Sequence, residues 1–285
     1  MKEIILVLFA LYGLSTCGRL KHPDKDRLKG WNYAHRGLHN REKGIPENSL
    51  AAFRAAVEHG YGAELDVHLL KDGNLAVIHD SSLERVTGQA GRIEDLTTED
   101  LKNYHLCDTK ETIPTFREVL DTFAGKTPLI IELKPVDGNH AALCEAACAA
   151  MEGYEGLWCM ESFDPRVVRW LKKNRPQIIR GQLSADFVKT DKKQPFPVRF
   201  MLTHNLSHFV TSPDFIAYQF EHRNRTPSNY LSRKVWGMPG VSWTLRTKED
   251  YDTAVAEGWI PILKILNPDK QRTAARNCGS PFLFL

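Results

Sequence analysis

The sequence is short of several features that mark common classes of protein. Its net charge is only +3, so the strongly basic balance of a nucleic-acid-binding domain is missing. There are six cysteines and no CxxC pair, and leaving out Cys17 makes the count odd. A zinc site or a disulfide framework therefore has little support. We find no internal repeat, no low-complexity tract and no glycine-rich nucleotide loop after the first predicted strand.

Long apolar runs are also missing, apart from one at the amino terminus. The uncharged stretch 4–18 has 15 residues, fewer than the roughly 20 of a membrane-spanning helix. It fits either a short anchor or a signal peptide, and Leu14-Ser15-Thr16-Cys17 is similar to a lipoprotein box. Five Lys or Arg follow it within a dozen residues. If it is retained, this excess favours a membrane-associated protein whose main domain faces the cytoplasm; secretion or lipidation is the alternative.

Charge and pattern divide the chain in two. Residues 1–30 carry six Lys or Arg against three Asp or Glu, whereas the rest is neutral overall. We expect residues 1–30 to be an apolar segment with a basic linker, and residues 31–285 to form one domain. There, short apolar runs alternate with amphipathic segments, in a length typical of a (β/α)8 barrel of the TIM type. The predicted strands are Asn32–His35, Ala63–Leu70, Leu75–His79, Leu129–Leu133, Leu157–Glu161, Ile178–Gln182, Phe215–Tyr218, Gly240–Thr244 and Ile260–Ile265.

Predicted helices lie between these strands. One is expected over Glu47–His59, and Thr115, Asp164 and Thr247 each stand where a helix should begin. Two connections, Ser81–Ile113 and Ser184–Ser212, are long for a compact domain, and such insertions usually cover a site or contact a partner. The second carries Phe187, Phe196 and Phe200 among lysines. It is a solvated loop or, alternatively, a lid that faces a membrane.

Polar side chains collect where the predicted strands end. Glu64 and Asp66 are two apart in one strand and therefore share a face, as do Glu132 and Lys134 in another. His35-Arg36 and His79 close two further strands, and the carboxyl ends of barrel strands are where catalytic residues gather. Three adjacent carboxylates would repel one another without a cation, and their oxygen ligands suit Mg²⁺ or Ca²⁺. Arg36 and Lys134 would lie unpaired beside that cation unless an anion such as phosphate binds them. With two histidines for proton transfer, this set describes phosphodiester cleavage.

These motifs resemble the glycerophosphodiester phosphodiesterase family. The resemblance rests on the following segments: His35-Arg36-Gly37, Pro46-Glu47-Asn48-Ser49, Glu64-x-Asp66, Asp72-Gly73, His79-Asp80 and Glu132-x-Lys134. Ser162-Phe163-Asp164 and Trp243-Thr244 are similar to weaker family signatures, whereas the end of the last strand departs from the usual family pattern.

The resemblance implies a role for each matched residue. Glu64, Asp66 and Glu132 would hold one divalent cation, Mg²⁺ or Ca²⁺. His35 and His79 would be the general acid and base, and Arg36 and Lys134 would contact the phosphate. Glu47 would lie near the metal, and Trp243 beside the alcohol. The implied reaction releases glycerol 3-phosphate and an alcohol from a glycerophosphodiester, and lysophospholipids are possible substrates.

Three alternatives stay open. The nucleophile is either water or the glycerol 2-hydroxyl, and the latter would give a phospholipase-type enzyme that forms a cyclic phosphate. The third is a non-catalytic membrane-associated binding protein, which would be expected to lack some of the histidines and carboxylates. None of them is missing here.

Overall fold

The computed structural model describes residues 2–264, and its centre is a closed barrel of parallel strands. The strands in this range are β1 (Tyr33–His35), β2 (Gly62–Leu69), β3 (Leu75–Val77), β4 (Leu129–Leu133), β5 (Trp158–Ser162), β6 (Arg180–Ser184), β7 (Phe215–Gln219), β8 (Gly240–Leu245) and β9 (Trp259–Leu263). Eight of them pair in the order β1-β2-β4-β5-β6-β7-β8-β9, and β9 pairs with β1 to close the ring. The predicted TIM-type (β/α)8 barrel is therefore confirmed.

Helices connect the strands around the outside of the barrel. Within the described range they are α1 (Lys2–Ser15), α2 (Leu50–Glu58), α3 (Glu84–Thr87), α4 (Phe116–Phe123), α5 (His140–Ala150), α6 (Pro165–Asn174), α7 (Phe187–Thr190), α8 (Phe196–Thr203), α9 (His208–Thr211), α10 (Pro227–Tyr230) and α11 (Lys248–Ala256). Helix α4 begins after Thr115 as predicted, with a capping box between Thr115 and Glu118, and Asp164 and Thr247 cap α6 and α11 as expected.

Two elements differ from the sequence prediction. The apolar run predicted as the strand Leu75–His79 forms only the short β3, which pairs antiparallel with β2 outside the ring. The helix predicted over Glu47–His59 begins only at Leu50, because the Ser49 side chain caps it by accepting a hydrogen bond from the Ala52 N–H. Glu47 consequently lies in the loop before α2.

Side-chain alternation separates two layers of the structure. Leu65 and Val67 of β2 pack outward against the helices in the largest apolar cluster. A second cluster, which includes Ile130 of β4 and Cys159 of β5, fills the inside of the barrel near the amino-terminal ends of the strands. Glu132 and Glu161, two positions further along these strands, face the same interior. The barrel is therefore apolar toward one end and charged at the other.

The amino-terminal segment is attached to the barrel at several points. Trp236 Nε1 donates to the Gly13 carbonyl at 2.9 Å, and the Ser232 hydroxyl donates to the Thr16 carbonyl at 2.9 Å. The linker then passes beneath the barrel, where Leu28 is fully buried in the interior cluster and its carbonyl accepts from the Tyr33 hydroxyl at 3.3 Å.

Helix α1 itself is short. Among residues 2–264, no helix has the length and apolar character needed to cross a bilayer. The described cysteines are all free thiols. Cys278, the predicted end of the last strand at Ile265 and the remainder of the predicted domain to residue 285 lie outside the described residues.

Candidate active site

Polar residues from neighbouring strands meet at the carboxyl-terminal end of the barrel. Strand register places His35 of β1 beside Glu64 of β2, and Asp66 of β2 beside Glu132 of β4. Glu64, Asp66 and Glu132 are buried, and each offers one carboxylate oxygen that lies within 4.8 Å of the other two. Three hard oxygen donors at this separation fit a divalent cation such as Mg²⁺ or Ca²⁺.

The pKa values of the three carboxyl groups are shifted in different directions, because the charges around each group differ. Burial, followed by repulsion from Asp66 and Glu132, raises the pKa of Glu64 well above its usual value. Burial also raises the pKa of Glu132, to about 7. Burial acts on Asp66 too, but Lys134, His79 and Arg36 outweigh it and hold the pKa of that carboxyl below its usual range. Asp66 is thus the carboxylate that stays charged even without a bound cation.

The two cations of the site are paired with acidic groups. Lys134 Nζ lies 3.0 Å from Asp66 Oδ1 and 2.7 Å from Glu132 Oε1. Arg36 Nη1 donates to Glu47 Oε1 at 2.8 Å, and its Nε lies 3.4 Å from Asp66 Oδ2. The expectation that Arg36 and Lys134 would be unpaired is therefore wrong, because buried carboxylates take the nearest cations as partners.

Several residues in the connection between β1 and α2 have a positive φ angle. Arg36 has a φ of +56°, and its N–H donates to Glu64 Oε2 at 3.1 Å. Gly37 has a φ of +77°, and a Cβ there would lie 2.9 Å from the Cβ of Ala52, so only glycine fits. Asn48, with a φ of +54°, donates from Nδ2 to Asp66 Oδ2 at 2.9 Å. The loops before α2 therefore orient two of the three carboxylates.

Two imidazoles flank the carboxylates. His35 Nε2 lies 3.9 Å from Glu64 Oε2, and His79 Nδ1 lies 2.6 Å from Asp80 Oδ1. Burial is the largest influence on both rings and lowers the pKa of His35 and of His79 below the usual histidine value; Arg36 also lowers both. Both rings are thus favoured in the neutral form, which can accept a proton near neutral pH.

Sequence reasoning did not assign a site role to several residues that the structure places here. Arg85, in the long insertion after β3, donates from Nη2 to Glu47 Oε1 at 2.7 Å and from Nε to Asp80 Oδ2. One guanidinium therefore links the acidic partner of Arg36 to the acidic partner of His79. Nothing in the periodicity of the insertion indicates this contact.

His68 and Glu94 form a second support. His68 is buried, its Nδ1 lies 2.7 Å from Glu94 Oε1, and its Nε2 lies 3.3 Å from the His79 carbonyl. His68 shares a strand face with Asp66, but its nitrogens are directed at these groups, and it does not belong to the carboxylate cluster.

Glu161 of β5 is a fourth buried carboxyl group beside the cluster. Its register partner on β4 is Glu132, and its Oε2 has no hydrogen-bond partner among residues 2–264. Burial, followed by Glu132 and Glu64, raises the pKa of Glu161 well above its usual value. Glu161 ends the predicted strand Leu157–Glu161, and this position in the sequence already indicated a residue at the carboxyl-terminal end of the barrel.

The other predicted residues lie at the edge of the site. Glu47 contacts the two arginines and is not one of the three clustered carboxylates; the arginines outweigh its burial and lower its pKa to about 2. Trp243 of β8 packs edge-on against Phe163, with ring centroids 5.6 Å apart, and Phe163 packs in the same way against Phe187 at 5.7 Å. These rings form an aromatic wall at the carboxyl-terminal end of the barrel, the end at which the charged residues also lie.

Comparison with known proteins agrees with this geometry. The model of the glycerophosphoryl diester phosphodiesterase family matches residues 35–263. The chain is 35% identical over 283 residues to glycerophosphodiester phosphodiesterase 1 of Rattus norvegicus, covering 83% of this chain and 78% of that protein. It is 36% identical over 160 residues to the glycerophosphodiester phosphodiesterase of Caldanaerobacter subterraneus subsp. tengcongensis, covering 53% of this chain and 65% of the relative. That second match thus spans just under two thirds of the relative's length.

A solved structure shares the fold. A phosphodiesterase from Oleispira antarctica, in complex with the product sn-glycerol-3-phosphate, superposes with a TM-score of 0.69 at 22% identity. The match covers 87% of this chain and 96% of that one.

Proposed function

This chain belongs to the glycerophosphodiester phosphodiesterase family, and from that premise we propose that it hydrolyses glycerophosphodiesters to glycerol 3-phosphate and an alcohol with the help of a divalent cation. One observation carries the proposal: Glu64, Asp66 and Glu132 meet within 4.8 Å, next to the imidazoles of His35 and His79 and the positively charged side chains of Arg36 and Lys134. The product found in the Oleispira enzyme supports glycerol 3-phosphate as the released half.

The three clustered carboxylates would hold the cation. Glu64 and Glu132 have raised pKa values because of burial and repulsion from Asp66, and a bound divalent charge would relieve that repulsion. When bound, Mg²⁺ or Ca²⁺ would polarise a phosphoryl oxygen as a Lewis acid. Asn48 and the Arg36 N–H keep Asp66 and Glu64 in place for this purpose.

Arg36 and Lys134 would bind the phosphate. Both are fixed by carboxylates, so their positions are set before the substrate arrives, and neutralisation of the developing phosphate charge is commonly the largest catalytic contribution. Their charges are shared with Asp66 and Glu132, and cation binding to those carboxylates would leave more of each positive charge for the phosphate.

His35 and His79 would transfer the protons. One imidazole, in its neutral form, accepts the proton of the nucleophile, and the other gives a proton to the departing alcohol in the fraction of molecules in which that ring is protonated. The Asp80 carboxylate beside His79 Nδ1 fixes the orientation of that ring. Water is the nucleophile in the hydrolytic scheme, whereas attack by the substrate's own 2-hydroxyl would give the cyclic phosphate.

We further propose that the enzyme is membrane-associated through residues 1–30, with the domain from residue 31 facing the cytoplasm. The basic residues after α1 support that orientation, and secretion or lipidation is the alternative. The aromatic wall of Trp243, Phe163 and Phe187 offers an apolar surface beside the site, which is suited to lysophospholipids as further substrates.

The decisive experiment is a substrate panel assayed for released glycerol 3-phosphate. We expect glycerophosphocholine or a related diester to be hydrolysed, EDTA to reduce the rate at least about 10³-fold, and added Mg²⁺ or Ca²⁺ to restore it. This ratio corresponds to the several kcal/mol that a catalytic cation supplies. Phosphorus NMR of the first product separates hydrolysis from cyclisation. A protein that binds the cation but turns over no diester would support the non-catalytic alternative.

Arg85 provides a test of the support around the site. We expect Arg85→Met to lower kcat/KM about 10- to 100-fold, the usual effect of losing a group that orients catalytic residues, since Asp80 and Glu47 then lose their shared donor. Arg85→Lys should have an intermediate effect because an ammonium lacks the fork geometry. Arg54→Met, which removes an exposed arginine paired with Glu111, is the matched control and should leave activity unchanged. Wild-type kcat/KM in Arg85→Met would contradict this role.

A further inference from the structure

Helix α1 presents apolar side chains to solvent on every side. Ile4, Ile5, Leu6, Val7, Leu8 and Phe9 are consecutive and between 57% and 68% exposed. Successive residues of a helix are 100° apart, so six in a row point in all directions around the axis. A groove on a partner protein covers one stripe of a helix, whereas an all-round apolar helix requires an apolar medium.

Helix α8 extends this apolar surface. Phe196 is 56% exposed and Phe200 38% exposed, and Val198 between them is also exposed. The Phe200 ring stacks on His204 with centroids 4.2 Å apart, and His204 Nδ1 lies 2.8 Å from the Tyr12 hydroxyl of α1. The Tyr12–His204 contact therefore joins the exposed apolar helix α1 to the face of α8 that carries Phe196 and Phe200, whose rings are 6.0 Å apart, and we name these exposed residues together the α1–α8 surface.

Positive charge borders the α1–α8 surface. Lys189, Lys192 and Lys193 lie in and just after α7, and Arg199 lies on α8. Of the acidic groups in this stretch, Asp186 pairs with Arg225, and Asp191 accepts a hydrogen bond from the Lys193 N–H. An apolar patch with a basic border is complementary to a bilayer that contains anionic lipid.

The α8 part of the α1–α8 surface lies at the rim of the active-site mouth. The Ser184 hydroxyl, at the carboxyl end of β6, donates to the Leu202 carbonyl of α8 at 2.6 Å. Phe187 of α7 packs on Phe163, which contacts Trp243 of β8 in the aromatic wall. The same connection between β6 and β7 thus supplies part of the mouth's aromatic wall and the exposed aromatic residues of α8.

We propose that the α1–α8 surface binds an anionic bilayer, with α1 in one leaflet and α8 at its surface, so that the mouth opens toward the lipid headgroups. The apolar part of α1, residues 4–14, is about 17 Å long, which is close to the thickness of one leaflet and well short of a hydrocarbon core of roughly 30 Å. The helix is therefore suited to entering a single leaflet. This inference deepens the proposed function, since it makes lipids held in the membrane the accessible substrates.

The test measures binding and turnover separately on the full chain. Flotation with vesicles of phosphatidylcholine and phosphatidylglycerol (3:1) should recover the wild-type protein. Recovery should fall with phosphatidylcholine alone or at high salt, because the basic border loses its partners. The double variant Phe196→Ser/Phe200→Ser should reduce the partition coefficient at least about 10-fold by removing buried apolar area. Val255→Ser, an exposed apolar residue near the carboxyl end of α11, is the matched control and should bind as wild type does.

Activity distinguishes this inference from the function on which it rests. The double variant should hydrolyse soluble glycerophosphocholine at the wild-type rate but lose at least about 10-fold on lysophospholipid presented in vesicles. Unchanged vesicle binding by the double variant, or a dimer in light scattering that occupies the patch and prevents vesicle binding, would overturn the α1–α8 proposal. Normal vesicle binding without turnover of any diester would instead overturn the proposed function and leave the α1–α8 surface supported.

Discussion

Replacing Glu64 with glutamine should lower the release of glycerol 3-phosphate at least about 10³-fold while making the cation-free protein more stable. The amide still accepts the Arg36 N–H, but it removes one of the three charged ligands, and catalytic cations contribute several kcal/mol. Glu64 is buried beside two further carboxylates, so its charge opposes folding when no cation is bound.

The stability gain should depend on pH in a defined direction. The pKa of Glu64 is raised in the folded protein, so the unfolded chain ionises first as pH rises above about 4.5, and the wild type loses stability from there upward. Glu64→Gln should therefore be more stable than wild type at pH 7–8 in EDTA, and the two should converge near pH 4. Urea unfolding measures the difference. Glu99→Gln, at an exposed carboxylate, is the control. A Glu64→Gln protein that is fully active, or less stable in EDTA, would contradict the cation site.

Changing either imidazole should have a comparably large effect. We expect His35→Asn and His79→Asn each to lower kcat by about 10²- to 10⁴-fold, the usual contribution of a general acid or base, while the cation affinity stays within a few-fold. Burial and neighbouring cations lower the pKa of both rings, so the acid limb of the wild-type rate profile should lie below pH 6.5.

The pH profiles of the two variants assign the roles. The acid limb should disappear in the variant that lacks the general base and persist in the other. His140→Asn, at the exposed start of α5, should keep the wild-type profile. Full activity in either His35→Asn or His79→Asn would remove that residue from the acid–base pair.

Strand periodicity made most of the barrel predictable. Glu64 and Asp66 alternate with Leu65 and Val67 along β2. Because successive side chains of a strand point to opposite faces, packing Leu65 and Val67 against the helices places both carboxylates inside the barrel. The error at β3 has a local cause. The tight turn at Asp72-Gly73, where the Leu70 N–H bonds the Asn74 carbonyl, is too short for the crossover that a parallel strand needs. The Asp-Gly pair was a hairpin signal.

The site was predictable as a set of residue types but not as a network. The carboxylates, imidazoles and cations lie at strand ends, where the barrel architecture brings them together. Their partners do not follow from that rule, since Arg85 and Glu94 come from an aperiodic insertion. The ion pairs of Lys134 and Arg36 depend on distances across strands and loops that no linear pattern contains.

The contacts of the amino-terminal segment have a consequence for geometry at the lipid. Hydrogen bonds hold Gly13 and Thr16 to the barrel domain, and Leu28 is buried inside the barrel. These contacts join α1 to the domain without a flexible linker between them. A leaflet that takes up α1 would therefore set the tilt and height of the catalytic domain at a single value. The catalytic domain would therefore meet its substrates in one fixed orientation, unlike a domain that is joined to its membrane anchor by a flexible linker.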